Sequence, residues 1–288
     1  MIRDSVSRLC RLAGMSRQNY YARRRHRQRE SADTALVAEW VEQERRLQPR
    51  LGARKLHRMF CAEAGGHAVQ IGRDRFFACL RAKGLLLDRL PPRPRTTDSR
   101  HSLPVFHNLV AGMEPAAPNQ AWAGDLTYIR TDEGFLYAPL ITDMFSRKIV
   151  GSFIGDSLEA EGCQAALDAA LAELPAGAHP IHHSDRGCQY CSHPYVERLQ
   201  AAGLAISMTE TLHCYENAMA ERVNGILKQE YGLGGCFRTK AQAKAAFAQA
   251  VWLYNHRRPH MSLDYRVPAD VHRQAAEVDV PAFPYDVL

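Results

Sequence analysis

Three short stretches decide the reading of this chain: Trp122-Ala123-Gly124-Asp125-Leu126-Thr127-Tyr128-Ile129, then Ile181-His182-His183-Ser184-Asp185-Arg186-Gly187-Cys188-Gln189-Tyr190, then Glu216-Asn217-Ala218-Met219-Ala220-Glu221-Arg222-Val223-Asn224. The first two begin as short apolar runs rich in β-formers and read as strands that end near an aspartate. The third has the spacing of a helix. Each delivers one carboxylate, Asp125, Asp185 and Glu221, from a different element. Hard divalent cations take carboxylate oxygens and keep open positions for phosphate and water. Two such ions can hold the attacking and leaving oxygens of a phosphodiester displacement. Three acids from three elements are about the smallest cage for such a pair.

Working outward, the flanking segments give the architecture of the second half. Residues 122–131, 135–143 and 149–155 read as three successive strands, with Asp132-Glu133-Gly134 as a hairpin turn. An Ala-rich helix is expected from about 158 to 174, a fourth strand at 180–184, a helix at 195–202 and a fifth strand at 204–208. Two closing helices are expected at 217–231 and 239–255. Three antiparallel strands followed by alternating helix and strand predict a mixed five-stranded sheet covered by helices. Asp132, Asp143 and Asp156 fall at turns, where solvated acids are ordinary.

The first half is different. Residues 1–111 hold 23 Lys and Arg against 10 Asp and Glu, a net of +13, whereas residues 112–288 hold 14 against 21, a net of −7. A basic front and an acidic rear fit a nucleic-acid grip followed by a metal-binding core. Residues 5–25 read as two short helices around an Ala13-Gly14-Met15 turn, with Ser16 capping the second. Arg17, Gln18 and Asn19 at the start of that second helix suit a helix-turn-helix that reads base edges. Arg23, Arg24 and Arg25 follow as phosphate partners. A fresh helix is expected to start at the Ser31 cap and close at Pro49. Helices at 53–64 and 72–84 form a second helical module, with Arg54, Lys55, Arg73 and Arg75 as its phosphate contacts. The domain expectation is therefore a helical DNA-binding region at 1–90, a basic Pro-rich linker at 91–119 and a catalytic core with a C-terminal extension at 120–288.

The three acid-bearing stretches, with 35 residues between Asp185 and Glu221, resemble the D,D(35)E core of transposases and retroviral-type integrases. More narrowly, the chain resembles the second-reading-frame (OrfB) transposases of bacterial insertion sequences. Gly52-Ala53-Arg54-Lys55-Leu56, Thr96-Thr97-Asp98-Ser99 and Tyr254-Asn255-His256-Arg257-Arg258-Pro259-His260 extend the likeness over nearly the whole length. The resemblance implies a ribonuclease H-like fold preceded by an all-α helix-turn-helix-type region. It implies metal-dependent cleavage and 3′-OH strand transfer at element ends, with Asp125, Asp185 and Glu221 holding two Mg²⁺ or Mn²⁺ ions. Asn224 and Lys228, at i+3 and i+7 from Glu221, are expected to face the DNA. Arg257 and Arg258 are expected at a DNA end or at a helix C-terminus. His183 is expected either to orient a carboxylate or touch DNA, or to pack as a core histidine, and Asn217 to cap the Glu221 helix where many relatives carry Asp-Asn-Ala. The implied partners are double-stranded DNA, further copies of the chain on that DNA, and the upstream-frame (OrfA) protein, alone or fused. A non-catalytic DNA-binding regulator and a ribonuclease H-fold nuclease on other nucleic acid are the alternatives.

No run of about 18 apolar residues occurs and the N-terminus lacks a signal-peptide core, so a cytoplasmic, nucleoid-associated protein with reduced thiols is expected. Cys188 and Cys191 have Cys-x-x-Cys spacing. With His193, His213 and Cys214 they leave a zinc site open, beside the alternative that both are small residues packed at the Asp185 turn.

Overall fold

The computed structural model describes residues 6–63, 71–88, 103–210 and 217–276. The chain divides into two compact units, residues 1–89 and 90–288.

The first unit is helical: α1 (Val6–Leu12), α2 (Arg17–Leu47), α3 (Ala53–Glu63) and α4 (Arg73–Ala82). The Ser16 side chain accepts from the Asn19 amide at 3.1 Å, as the capping pattern predicts. The expected second start at Ser31 does not occur, and α2 runs through it unbroken for 31 residues. Between Arg17 and Leu47 there is no Gly or Pro, and a cap residue without a helix breaker beside it does not stop propagation. Only the C-terminal half of α2 is buried. Val37 and Val41 pack there with Leu51, Leu56, Phe60, Phe76 and Leu80. Trp40 and Phe60 meet edge to face at 5.3 Å.

The second unit is built on a sheet with the strand order β3-β2-β1-β4-β5. The strands are β1 (Ala121–Thr131), β2 (Gly134–Asp143), β3 (Ile149–Ser152), β4 (Ile181–Ser184) and β5 (Ala205–Met208). β1 pairs antiparallel with β2, and β2 with β3, whereas β4 and β5 continue parallel to β1. A two-residue strand not foreseen from sequence, β6 (Cys236–Phe237), pairs with the far end of β1. Helices α5 (Ala160–Ala172) and α6 (His193–Ala201) cover one face through Cys163, Leu167, Tyr195 and Leu199, packed on Trp122, Ile141 and Val150. Helices α7 (Ala218–Glu230) and α8 (Lys240–His256) cover the other through Val223, Leu227, Phe247 and Tyr254, packed on Ile129, Leu136 and Leu140. Of the stretch expected as a linker, residues 103–119 are packed on the sheet. Val110 joins Ala121 and Ile181 in an apolar cluster, and the Leu109 amide donates to the Ser207 hydroxyl at 2.9 Å.

The C-terminal motif turns out to be a lock. The Asn255 side chain accepts from the Ile149 amide at 2.9 Å and donates to the Ile149 carbonyl at 2.8 Å, imitating a further strand beside β3. Arg258, 2% exposed, forms a two-pronged pair with Glu230 at 2.8 and 2.9 Å, and lies 5.7 Å from the Tyr254 ring centroid. This joins the end of α7 to the end of α8 and corrects the expected DNA contact at Arg258, because a buried, paired guanidinium cannot reach a phosphate. A further helix, α9 (Pro268–Ala276), was not foreseen. It brings His272 to 2.9 Å from Ser146, whose hydroxyl donates to the buried Asp143 carboxylate at 2.6 Å. No helix among the described residues is long and apolar enough to cross a membrane.

Two predictions follow from this packing. A Cβ at Gly151 would lie 2.2 Å from the Ala166 carbonyl oxygen and 2.8 Å from the Ala170 Cβ, whereas one at Gly225, inside α7, meets nothing within 4 Å. Gly151→Ala should lower stability in urea melts by about 1–3 kcal/mol or more, and Gly225→Ala should raise it by about 0.5–1 kcal/mol. Equal effects at both positions would refute the close β3–α5 approach. Arg258→Gln should cost about 3 kcal/mol by stranding Glu230, and replacing Glu230 by Gln as well should recover part of it. A loss below about 1 kcal/mol in the single variant would show that the pair does not hold α7 to α8.

Candidate functional site

The parallel pairing of β1 with β4 runs from Ala121 opposite Ile181 to Gly124 opposite Ser184, and stops there. Asp125 and Asp185 are the next residue on each strand, so the two aspartates stand level at the end of the shared ladder. β1 continues along β2, while the chain after β4 turns through Arg186 and Gly187. Gly187 donates its amide to Asp185 Oδ1 at 2.9 Å. A Cβ at Gly187 would sit 3.0 Å from that oxygen, so a side chain there would crowd the carboxylate. Asp125 Oδ1 accepts from the Leu126 amide at 2.9 Å, and Oδ2 accepts from Asn224 Nδ2 at 2.7 Å.

These contacts do not offset the cost of burying Asp125 beside a second acid. Burial raises the Asp125 carboxyl to about 7, with the Asp185 charge the next cause, against the lowering effect of the Asn224 and Leu126 hydrogen bonds. Glu221 adds a smaller push in the same direction.

Helix α7 is carried onto β1 by two asparagines. Asn217 donates to the Gly124 carbonyl at 3.1 Å, and Asn224 holds Asp125. The expected side-chain cap by Asn217 is not made: its Nδ2 donates to the Gly124 carbonyl, while its Oδ1, the atom a cap would use, accepts from no helix amide. Asn217, Glu221 and Asn224 share one face of the helix, and Glu221 lies between the two latches in the first turn, exposed to solvent. Among the described residues no three His, Cys, Asp or Glu side chains are grouped closely enough to hold a metal ion. The structure therefore brings Asp125 and Asp185 together, with Glu221 standing off on the adjacent helix.

Below the site the backbone is tightly seated. A Cβ at Gly124 would come within 3.1 Å of the His182 ring and 3.3 Å of Tyr190. His182 is buried, is bonded to the Tyr195 hydroxyl at 2.9 Å, and is driven by burial down to about 3, so it is a neutral packing group. His183 is also buried, 2.8 Å from the Ser207 hydroxyl, which fits the packed reading of that residue. Cys191 is buried 3.6 Å from the Met208 sulfur and Cys188 is exposed, whereas His213 and Cys214 lie outside the described residues.

The other acids stay outside the site, and Asp143 departs from the solvated turn acid expected of it because it is fully buried and bonded. Asp132 sits in the hairpin turn. Asp143 is buried and accepts from the Asn119 and Ser146 amides. Asp156 pairs with Lys240 and Lys244, whose hydrogen bonds lower it to about 2.

The sequence-predicted DNA contacts divide in the same way. Arg17, Gln18, Asn19, Arg23, Arg24 and Arg25 are all exposed along α2, and Arg54 is exposed on α3. Arg73 pairs with Asp74, and Arg75 with Asp33 at 2.7 Å, both at the surface. Lys55 is buried on the core side of α3, so the phosphate contact expected of it is corrected. Asn224 points at Asp125 rather than outward, a second correction. Lys228 and Arg257 are partly exposed. Sequence reading missed the Asn217 and Asn224 latches as contacts to β1. Their helical spacing about Glu221 was the only signal available.

Two models of the Integrase core domain match the chain, over residues 115–214 and 202–268. A 31 kDa protein of the insertion element IS600 from Shigella sonnei is 34% identical over 265 residues, covering 91% of this chain and 96% of its own length. The transposase of insertion sequence IS629 from Shigella sonnei is 34% identical over 223 residues, covering 77% of this chain and 73% of its own. Among solved structures, the simian T-cell lymphotropic virus intasome in complex with the PP2A regulatory subunit B56 gamma contains a chain that aligns with a TM-score of 0.50. The identity is 17%, over 81% of this chain and 79% of that one, a likeness of fold. The level aspartates on a 3-2-1-4-5 sheet, the matched core models and the insertion-sequence relatives place this chain in the family of insertion-sequence transposases with an integrase core domain.

Proposed function

We propose that the protein cuts DNA at the ends of an insertion sequence and joins the exposed 3′-OH to a second phosphodiester, using Asp125, Asp185 and Glu221. The observation that carries this reading is the pair of level aspartates, forced together at the end of the β1–β4 ladder, with Asp125 raised to about 7. Two carboxylates that repel in a partly buried notch suit a hard divalent cation, which takes oxygen ligands and relieves their repulsion. Asp125 and Asp185 would hold Mg²⁺ or Mn²⁺, and Glu221 would complete the set from α7. Bound there, such ions supply Lewis-acid activation of the attacking oxygen and neutralise charge on the phosphodiester.

The chain's own groups do the rest. Asn224 and the Leu126 amide fix the two Asp125 oxygens, and the Gly187 amide fixes one oxygen of Asp185. Asn217 ties the start of α7 to Gly124 and so holds Glu221 on the side of the helix that faces β1. The exposed arginines of α2, with Arg54, supply phosphate contacts that position the duplex and weaken with salt. Double-stranded DNA is the substrate under this reading, and further copies of the chain and the upstream-frame protein are its partners in pairing two ends.

Asp125→Asn, Asp185→Asn and Glu221→Gln should each abolish cleavage and joining of a labelled terminal-repeat duplex in Mg²⁺ while leaving duplex binding in EDTA intact. A variant that retains cleavage near the wild-type rate would remove that residue from the reaction. Full wild-type inactivity with intact binding would favour the regulator.

The raised Asp125 carboxyl also sets a pH dependence. Its folded value lies above that of an unfolded aspartate, so the protonated form is favoured on folding. The associated penalty is absent below about pH 4, grows from there to about pH 7, and is constant above. It is worth up to about 4 kcal/mol. In EDTA, wild type should therefore lose stability relative to Asp125→Asn as pH rises through that window. Added Mg²⁺ should raise the wild-type Tm more at pH 8 than at pH 5. Parallel stability curves for the two proteins would show that the aspartates do not strain the empty site.

A further inference from the structure

Helix α2 carries its charge in two blocks. From Arg17 to Arg29 it holds six arginines and no acid, and from Glu30 to Glu44 it holds five acids and no lysine or arginine. A lone helix gains nothing from this order. Arg23 and Arg27, and Arg25 and Arg29, are like charges at i,i+4, and Glu39 and Glu42 are like charges at i,i+3, so each block repels itself. Some of the acids are used inside the unit: Asp33 pairs with Arg75, and Glu44 accepts from Gln48. Among the described residues, Arg24, Arg27, Glu39 and Glu42 enter no ion pair, and all four are exposed.

The basic block also borders a cleft. α1 lies against it, and between the two is an open cavity of about 570 Å³. Leu9, Ala13 and Met15 line the cavity from the α1 side, and Arg23, Arg24 and Arg27 from α2. Leu9 is 48% exposed and Leu12 75%. Two packed helices leave an apolar side open, which a further element ordinarily covers. A DNA backbone would answer the arginines, but it offers nothing to an apolar cleft and is repelled by the acidic block that follows.

The spacing along α2 points to the occupant. Arg24, Gln28, Ser31, Ala35 and Glu42 fall on one stripe of the helix, with Arg27 and Glu39 flanking it. A second α2 laid antiparallel along this stripe, centred on Asp33, sets Arg24 opposite the partner's Glu42, Arg27 opposite the partner's Glu39 and Ser31 opposite the partner's Ala35. No like charges face each other along it. A two-fold dimer makes each of these contacts twice, which requires a surface complementary to itself, and α2 has one. Ser31 and Ala35 are small enough for the two helix axes to approach to about 8 Å.

We propose that α2 is a self-pairing element: the acidic half of α2 in one copy lies in the α1–α2 cleft of a second copy, antiparallel to that copy's own α2. Charge sets the direction and register. The apolar cleft supplies most of the binding, because exposed ion pairs contribute little alone. Arg23, Arg25 and Arg29 lie on other sides of the helix and stay free of the pairing. The pairing does not rest on the carboxylate site. It names a contact through which two copies of the chain come together.

The test measures the mass of the full chain by light scattering, in low salt and EDTA, without DNA. Wild type should form dimers at about micromolar concentration, and these should weaken with salt. Arg24→Glu with Arg27→Glu, and separately Glu39→Arg with Glu42→Arg, should each weaken the dimer about tenfold or more, because each change sets like charges face to face. An equimolar mixture of the two double variants should pair again, since each then meets opposite charge at both ends. All four positions are exposed, so both variants should keep the wild-type Tm. If one does not, Arg24→Glu and Glu42→Arg as single variants carry the same mixing test. A wild type that stays monomeric at about 0.1 mM, double variants that dimerise as tightly as wild type, or a mixture that stays monomeric would each overturn the pairing. Dimers that appear only on added duplex would also overturn it and assign these arginines to DNA alone.

Discussion

The end of the β1–β4 ladder is the constraint on which the second unit depends. Parallel pairing from Ala121 with Ile181 to Gly124 with Ser184 sets the next residue of each strand at the same height, and both residues are aspartates. Their separation is thus set by backbone hydrogen bonding between two central strands, which is far stiffer than a loop. The repulsion this creates persists because the strands are anchored elsewhere: β1 along all of β2, and β4 along β5. The packing beneath is equally exacting. Gly124 leaves room for His182 and Tyr190, and His182 stays neutral on the Tyr195 hydroxyl, so the floor of the site carries no compensating charge.

The third carboxylate is held by a different device. α7 makes polar contact with β1 at both ends of its first two turns, through Asn217 on Gly124 and Asn224 on Asp125, and its last residue is gripped by Arg258. Glu221 lies between the first two contacts yet remains in solvent. A rigid aspartate pair thus stands beside an exposed glutamate on a latched helix. Tyr254-Asn255-His256-Arg257-Arg258, which looks like a basic DNA-binding cluster, mainly serves this arrangement. Asn255 fastens α8 to β3 and Arg258 fastens it to α7.

Charge is segregated along the chain to match. The exposed arginines of the first half of α2 have few apolar contacts beneath them, and that half of the helix contributes little to the core of its unit. In the second unit several cations are paired with acids, among them Lys240 and Lys244 on Asp156 and Arg258 on Glu230. The run of exposed arginines and the aspartate pair thus lie in different parts of the chain.

Local periodicity and side-chain chemistry were enough to read the order of β1 to β5 and of α5 to α8, though not β6 or α9, together with the hairpin turn, the Ser16 cap and the three acids with their spacing. These properties depend on neighbours a few residues away, and a sequence displays such neighbours directly. It could not show that α2 would ignore Ser31, because continuation is decided by the whole window rather than by one capping residue. Nor could it show that Lys55 and Arg258 are buried, that Asn224 turns towards Asp125, 99 positions away, or that residues 103–119 lie on the sheet. Each of these depends on which distant elements come together. A lysine, arginine or asparagine on a helix has the same local signature whether its face meets water or another element. Only the packed sheet and its covering helices decide which of the two it meets.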